Sequence, residues 1–180
     1  FEGKNNSINN FSLNLEDVSN DKYLKLYKIK SNLVDYNKDT LQNSIEFTHE
    51  NEDLFLGINA NVYETLKDNY NDKYEYILPD ITFDKNLFSG GKFGNLDLNS
   101  NFKVRNFDTN KTTKFFVNNF DWDIKKINFK NGIRGEFLSK IKNINYDVKN
   151  SSKFKSDTTS EIFGALGFLT EVDLYKNVNN

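Results

Sequence analysis

Residues 94 to 124 read GNLDLNSNFKVRNFDTNKTTKFFVNNFDWDI, and they keep a strict two-residue beat: Leu96, Leu98, Phe102 and Val104 are apolar, while Asp97, Asn99, Asn101, Lys103 and Arg105 between them are polar. Successive side chains of a strand point to opposite faces, so this beat makes a ribbon that is greasy on one side and wet on the other. The turn DTNK at 108–111 reverses it, and the return strand alternates Phe116, Phe120, Trp122 and Ile124 with Asn119, Asp121 and Asp123. That is a hairpin signature. A chain built this way must find something to cover the greasy side.

Composition limits what that cover can be. Only 37% of the 180 residues are apolar, below the usual ~45–50% for globular chains, so any core is thin. The apolar material is nevertheless rich in aromatics, with 17 Phe, 9 Tyr and one Trp, too many for a disordered segment. Acidic and basic residues, 26 and 24, are interspersed, which argues against a nucleic-acid partner. The absence of Cys removes disulfides, thiolate metal sites and cysteine nucleophiles. Abundant Asn, Lys, Ile and Phe with a single Pro reads as the codon bias of an AT-rich genome, so single Asn residues are discounted. Starting at Phe1 without any Met, the chain reads as an internal piece of a longer protein, 1–180 being one segment. No apolar run approaches the ~18–20 residues of a membrane helix, but a membrane strand needs only ~9–11.

The beat recurs along the chain. Phe11, Leu13 and Leu15 mark a first strand; KYLKLYKIK, with Tyr23, Tyr27 and Ile29, reads as a second. Ile45 and Phe47 mark the next, and Leu54, Leu56, Ile58, Ala60 and Val62 share one face of another. KYEYILPDITF is a strand with an irregularity at Pro79, which lacks an amide for the ladder; DKNLFSGGKFG after it reads as a turn. The stretch 132–148 opens with Ile133, Phe137 and Ile141 on one face and closes with Ile144, Tyr146 and Val148 on the other, a parity slip that predicts a bulge near Lys142. A final strand carries Ile162, Leu166, Phe168, Val172 and Leu174 in phase. About nine strands result, with no helix; Gly135, Asn143 and Asn145 count against one over 133–148.

Chemical constellations are scarce. His49 beside Glu50 and Glu52 reads as an exposed strand-end histidine, SGGKFG as a tight turn without the ending of a phosphate loop, and DNYND as turn chemistry without calcium-loop spacing. No catalytic, cofactor or metal residue is assigned. Two architectures fit two-faced strands: a soluble sandwich, and a membrane barrel whose apolar face meets lipid. Strands over 94–107, 112–124, 132–148 and 160–175 are longer than soluble ones usually are, aromatics gather near strand ends, and charges such as Lys103, Arg105 and Arg134 lie deep within strands. These features favour the barrel.

FSLNLEDVSNDKYLKLYKIKS, LGINANVYE, NDKYEYILPDITFDKNL, FKVRNFDTNKTTKFFVNNFDW and TTSEIFGALGFLTEVDLYK together resemble the barrel domain of the LptD family of LPS-assembly proteins. The resemblance implies an outer-membrane barrel that receives lipopolysaccharide from a periplasmic bridge protein, holds a plug lipoprotein and passes its cargo to the outer leaflet. It implies transport without bond chemistry, hence no enzyme. The family's periplasmic jelly roll, its cysteines and its barrel seam have no counterpart here. The expected fold is therefore all-β, an antiparallel up-and-down meander forming an open-edged arc of a large transmembrane barrel. Leu96, Leu98, Phe102, Val104, Phe120, Trp122 and Ile124 are expected to face outer-membrane lipid, and Asn99, Lys103, Arg105, Asp121 and Asp123 the lumen. Lys103, Arg105, Arg134, Lys140 and Lys142 are candidates to meet the phosphates of the cargo. A soluble or surface-attached β-sheet binding protein of adhesin-like kind is the alternative.

Overall fold

The computed structural model describes residues 6–28, 35–67, 70–91, 93–124, 126–155 and 157–172, the side chain of residue 131 excepted. They form strands β1 (Ile8–Asn14), β2 (Thr40–Glu50), β3 (Leu54–Thr65), β4 (Tyr74–Ser89), β5 (Asn95–Phe107), β6 (Lys111–Asp123), β7 (Ile127–Asn128), β8 (Ile133–Lys149) and β9 (Thr159–Val172), with a short helix α1 (Tyr23–Tyr27) and one 3-10 turn. All ladders are antiparallel and, apart from β6 with β8, join sequence neighbours. The two-residue β7 pairs with Gly135 and Arg134 on the edge of β8 that β6 occupies further along, so it is the continuation of β6 after a break. The result is one meander whose edges are β1 and β9, not closed into a barrel.

The hairpin that opened the sequence reading forms as expected. Leu96 lies opposite Trp122, Leu98 opposite Phe120 and Phe102 opposite Phe116, and the chain reverses through Asp108, Thr109 and Asn110, all at positive φ. Lys111 already pairs with Phe107. Pro79 interrupts two ladders at once, between Asn59 and Asn61 on β3 and between Ile77 and Asp80 on β4.

Four expectations need correction. Tyr23 to Tyr27 is helix α1 and not a strand; among the described residues no strand pairs with it, and a helical turn instead brings the Tyr23 and Tyr27 rings to 4.9 Å in a tilted pair and buries Leu24. Ile29 lies outside the described residues. The stretch DKNLFS is not a turn but the end of β4, which accommodates its irregular pattern with a second bulge between Asn86 and Phe88. No bulge occurs near Lys142: β8 stays in register with β6 and β9 throughout, so its apolar residues truly change faces. Leu15 lies past the end of β1, exposed. Leu174 of the last expected strand lies outside the described residues.

Only one small core exists among the described residues, where Leu24 meets Leu41 and Leu66 with Val18 and Tyr23 around them. It closes the rim of β2 and β3. Ion pairs Lys38–Glu16, Lys25–Asp39 and Lys73–Asp21 tie the segment to the sheet. Partial burial raises the Glu16 pKa, but the Lys38 ammonium and the Gln42 amide outweigh it and hold the carboxylate below its ordinary value. A depressed acid contributes stability above its unfolded pKa, and that contribution is lost as pH falls through the folded one. Protection factors of the Gln42 and Leu66 amides are therefore expected to fall as pH drops below about 4.3, and Lys38→Met should abolish most of this dependence. Protection unchanged with pH would contradict the assignment.

Candidate functional surfaces

Because the ladders shift register only at the bulges of β4, each face can be followed strand by strand. The row through Phe11 continues by Phe47, Ile58, Ile81, Phe102 and Phe116 to Asn145 and ends at Ser160. Leu96, Leu98, Phe102, Val104, Phe120 and Trp122 thus share a face with Phe11, Ile58 and Ile81. Ile124, just past β6, follows the same parity while its amide donates to Phe137 O at 2.9 Å. Among the described residues no second layer covers this face: Phe11, Leu13, Ile45, Ile58, Phe116, Ile141 and Phe168 are exposed, and Leu166 is 88% exposed.

From Leu96 to Val104 the apolar run rises about 26 Å, the height of the apolar band of a membrane barrel, roughly 25 Å. The band also slopes. On β9 its residues Ile162, Leu166, Phe168 and Val172 centre about seven residues beyond Ser160, where the row from Phe11 arrives after seven strand steps. Seven residues rise about 23 Å while seven steps cross about 34 Å, a slope of about 35°. Strands crossing a bilayer tilt by roughly 35–45°.

The opposite face is held together by polar rungs. Asn99 donates to Asp84 and accepts from Asn119 at 3.0 Å; Asn101 donates to Thr82 at 3.0 Å and Asn86 to Asp97 at 2.7 Å. Lys103 pairs with Asp80 at 2.7 Å and Asp121 with Lys140 at 3.1 Å. Arg105 donates through Nε and Nη2 to Glu75 at 2.6 and 3.0 Å and lies over the Phe107 ring at 4.2 Å. Asp123 ends β6 opposite Leu138. Arg134, opposite Glu171, and Lys142, opposite Asn119 and Phe163, lie on the same face as Lys103 and Lys140. The five cations therefore share a face, Lys103 and Arg105 on β5 and Arg134, Lys140 and Lys142 on β8 with β6 between them, and Lys103, Arg105 and Lys140 each have a carboxylate. Such pairs are worth little individually, about 0.2–1 kcal/mol.

Two features escaped the sequence reading. On the apolar face Ser100 donates to Asn118 at 2.7 Å, Asn118 to Asn143 at 3.4 Å, and Asn143 to Ser160 at 3.4 Å, with Asn145 joining Asn143 at 2.6 Å. Each amide is satisfied by the next, which lets polar groups sit within a greasy face. The signal was present in the break at Asn118 between Phe116 and Phe120, but discounting single Asn residues hid it. On the polar face, Phe115, Tyr146 and Phe154 form an aromatic cluster. His49 contacts Asn9 Oδ1 through Nδ1 at 2.7 Å across β1 and β2, and Gly90, Gly91 and Gly94 take positive φ in the turn before β5, where the Gly90 amide donates to Gly94 O at 2.9 Å.

The family model described as LPS transport system D, LptD, matches residues 4–161. No curated protein matches the chain, and no solved structure does.

Proposed function

This chain belongs to the LPS transport system D family, a family of outer-membrane transport proteins and not of enzymes, and from that premise we propose that the meander is an arc of barrel wall in a translocon that assembles lipopolysaccharide into the outer leaflet. The observation that carries the reading is the uncovered apolar band, about 26 Å high and sloped by about 35° across the antiparallel sheet. Water would not tolerate so large a bare face; hydrocarbon would. Leu96, Leu98, Phe102, Val104, Phe120, Trp122 and Ile124 then meet lipid. Asn99, Lys103, Arg105, Asp121 and Asp123 line the lumen, where their rungs and ion pairs keep the wall rigid and wet.

In this role Lys103 and Arg105 serve the wall, since Asp80 and Glu75 already satisfy them. A plug lipoprotein and a periplasmic bridge protein are the partners such a translocon requires. Photo-crosslinkers placed in the full-length protein in its membrane test the assignment of faces. Probes at Leu98 and Phe102 should capture lipid, and probes at Asn99 and Lys103 should not. Recovery of the protein in the soluble fraction, or lipid captured equally from both faces, would return the chain to the adhesin-like alternative.

A further inference from the structure

The change of face within β8 has a structural cause beyond the strand itself. Ile144, Tyr146 and Val148 lie on the polar face beside Val117, Phe115 and Thr113, their in-register partners on β6. After β8 the backbone turns at Asn150, whose φ is 58° and whose side-chain amide donates to Asn110 O at 2.7 Å. Phe154 is thereby brought edge-on against Phe115 at 5.6 Å and Tyr146 at 5.9 Å. Lys155 then reaches Glu161 of β9 at 3.3 Å. In a single-layer sheet with most of its surface bare, Val148 is only 3% exposed and Thr113 8%. Both side chains point to the polar face, on which Phe154 packs against Phe115 and Tyr146, the residues two positions from Thr113 and Val148 on their strands.

We propose that residues 150–155 form a strap folded inward across the polar face and pinned by Phe154, so that the lumen is narrowed at this end. The narrowing rests on the reading of that face as lumen; the strap itself does not. Apolar residues on a wet wall are the expected means of holding such a segment, because rings packed against one another need no charge partner and release together when the anchor is lost. The inverted half of β8 is the strand's side of that latch.

The test uses the full-length protein in a background without other reactive cysteines. Val148→Cys should react slowly with a small water-soluble thiol reagent and about tenfold faster when Phe154→Ala is added, the loss expected for two ring contacts; Phe154→Tyr should keep the protection. In planar bilayers, Phe154→Ala should also raise the single-channel conductance. Tyr146→Ser removes the strand's half of the latch and should act in the same direction on both readouts. Rapid labelling of Val148→Cys with Phe154 in place would overturn the strap, and rapid labelling in Phe154→Ala with unchanged conductance would overturn the narrowing. If the protein does not enter membranes, the wall reading fails, and the labelling contrast alone decides whether the strap exists.

Discussion

Arginine in place of Leu98 or Phe102 is expected to cost ~2–4 kcal/mol in the folding of the full-length protein into lipid vesicles. Both positions lie inside the apolar run from Leu96 to Val104 and point to the bare face, so a guanidinium there must be held in hydrocarbon or drag water in with it. Val104→Arg, at the end of the run and beside Lys114, should cost less, about 0–1 kcal/mol, as the penalty fades toward the interface. On the neighbouring parity, Asn101→Arg loses one hydrogen bond to Thr82 and should change stability by about 1 kcal/mol or less. Urea titration of folding into vesicles reads all four. Equal costs on the two faces would mean that neither face meets lipid, and the membrane reading would go with them.

The second large effect is expected at Gly135. A Cβ built there would stand 2.6 Å from Phe129 Cε2 and 2.7 Å from Phe168 Cζ, because the Phe168 ring, packed on Phe137 at 4.6 Å, and Phe129 both lie over this position. Glycine is thus the socket for two aromatic rings at the end of β8 that faces β7. Two effects compete in Gly135→Ala. Restricting the unfolded chain would stabilise by about 0.4–1 kcal/mol, whereas overpacking costs typically 1–3 kcal/mol. The clash should win, and Gly135→Val should be worse. Removing both rings, as Phe129→Ala with Phe168→Ala, should relieve most of the cost of Gly135→Ala in a double-mutant cycle. A Gly135→Ala protein as stable as the parent would show that the rings move aside freely.

The sequence by itself determined the strands wherever the two-residue beat was unbroken. Leu96 to Arg105 and Phe116 to Asp123 needed no tertiary information, because in a sheet with one apolar face the alternation sets which side every residue takes, and a one-residue slip would turn the whole set over. It also determined that the ladders would join neighbours, since short turns such as Asp108–Asn110 leave no room for a crossover. The resemblance to the family was legible in whole segments for the same reason, each being a strand and its turns.

Tertiary structure decided the places where local pattern and packing disagree. Tyr23–Tyr27 carries enough alternation to look like a strand, yet among the described residues it pairs with no strand, and a helical turn seats Leu24 in the hydrophobic socket of Leu41 and Leu66; its tyrosines four residues apart were the helical signal. The amides of Asn118 and Asn143 became acceptable on a greasy face only because neighbouring strands brought Ser100 and Ser160 within reach. Ile144, Tyr146 and Val148 looked like a bulge in one strand, and they belong to an unbroken strand whose Tyr146 packs against Phe154 from the following loop. Periodicity reports the two faces of a ribbon, but it cannot report what lies on them, because that contact is made by residues distant in the chain.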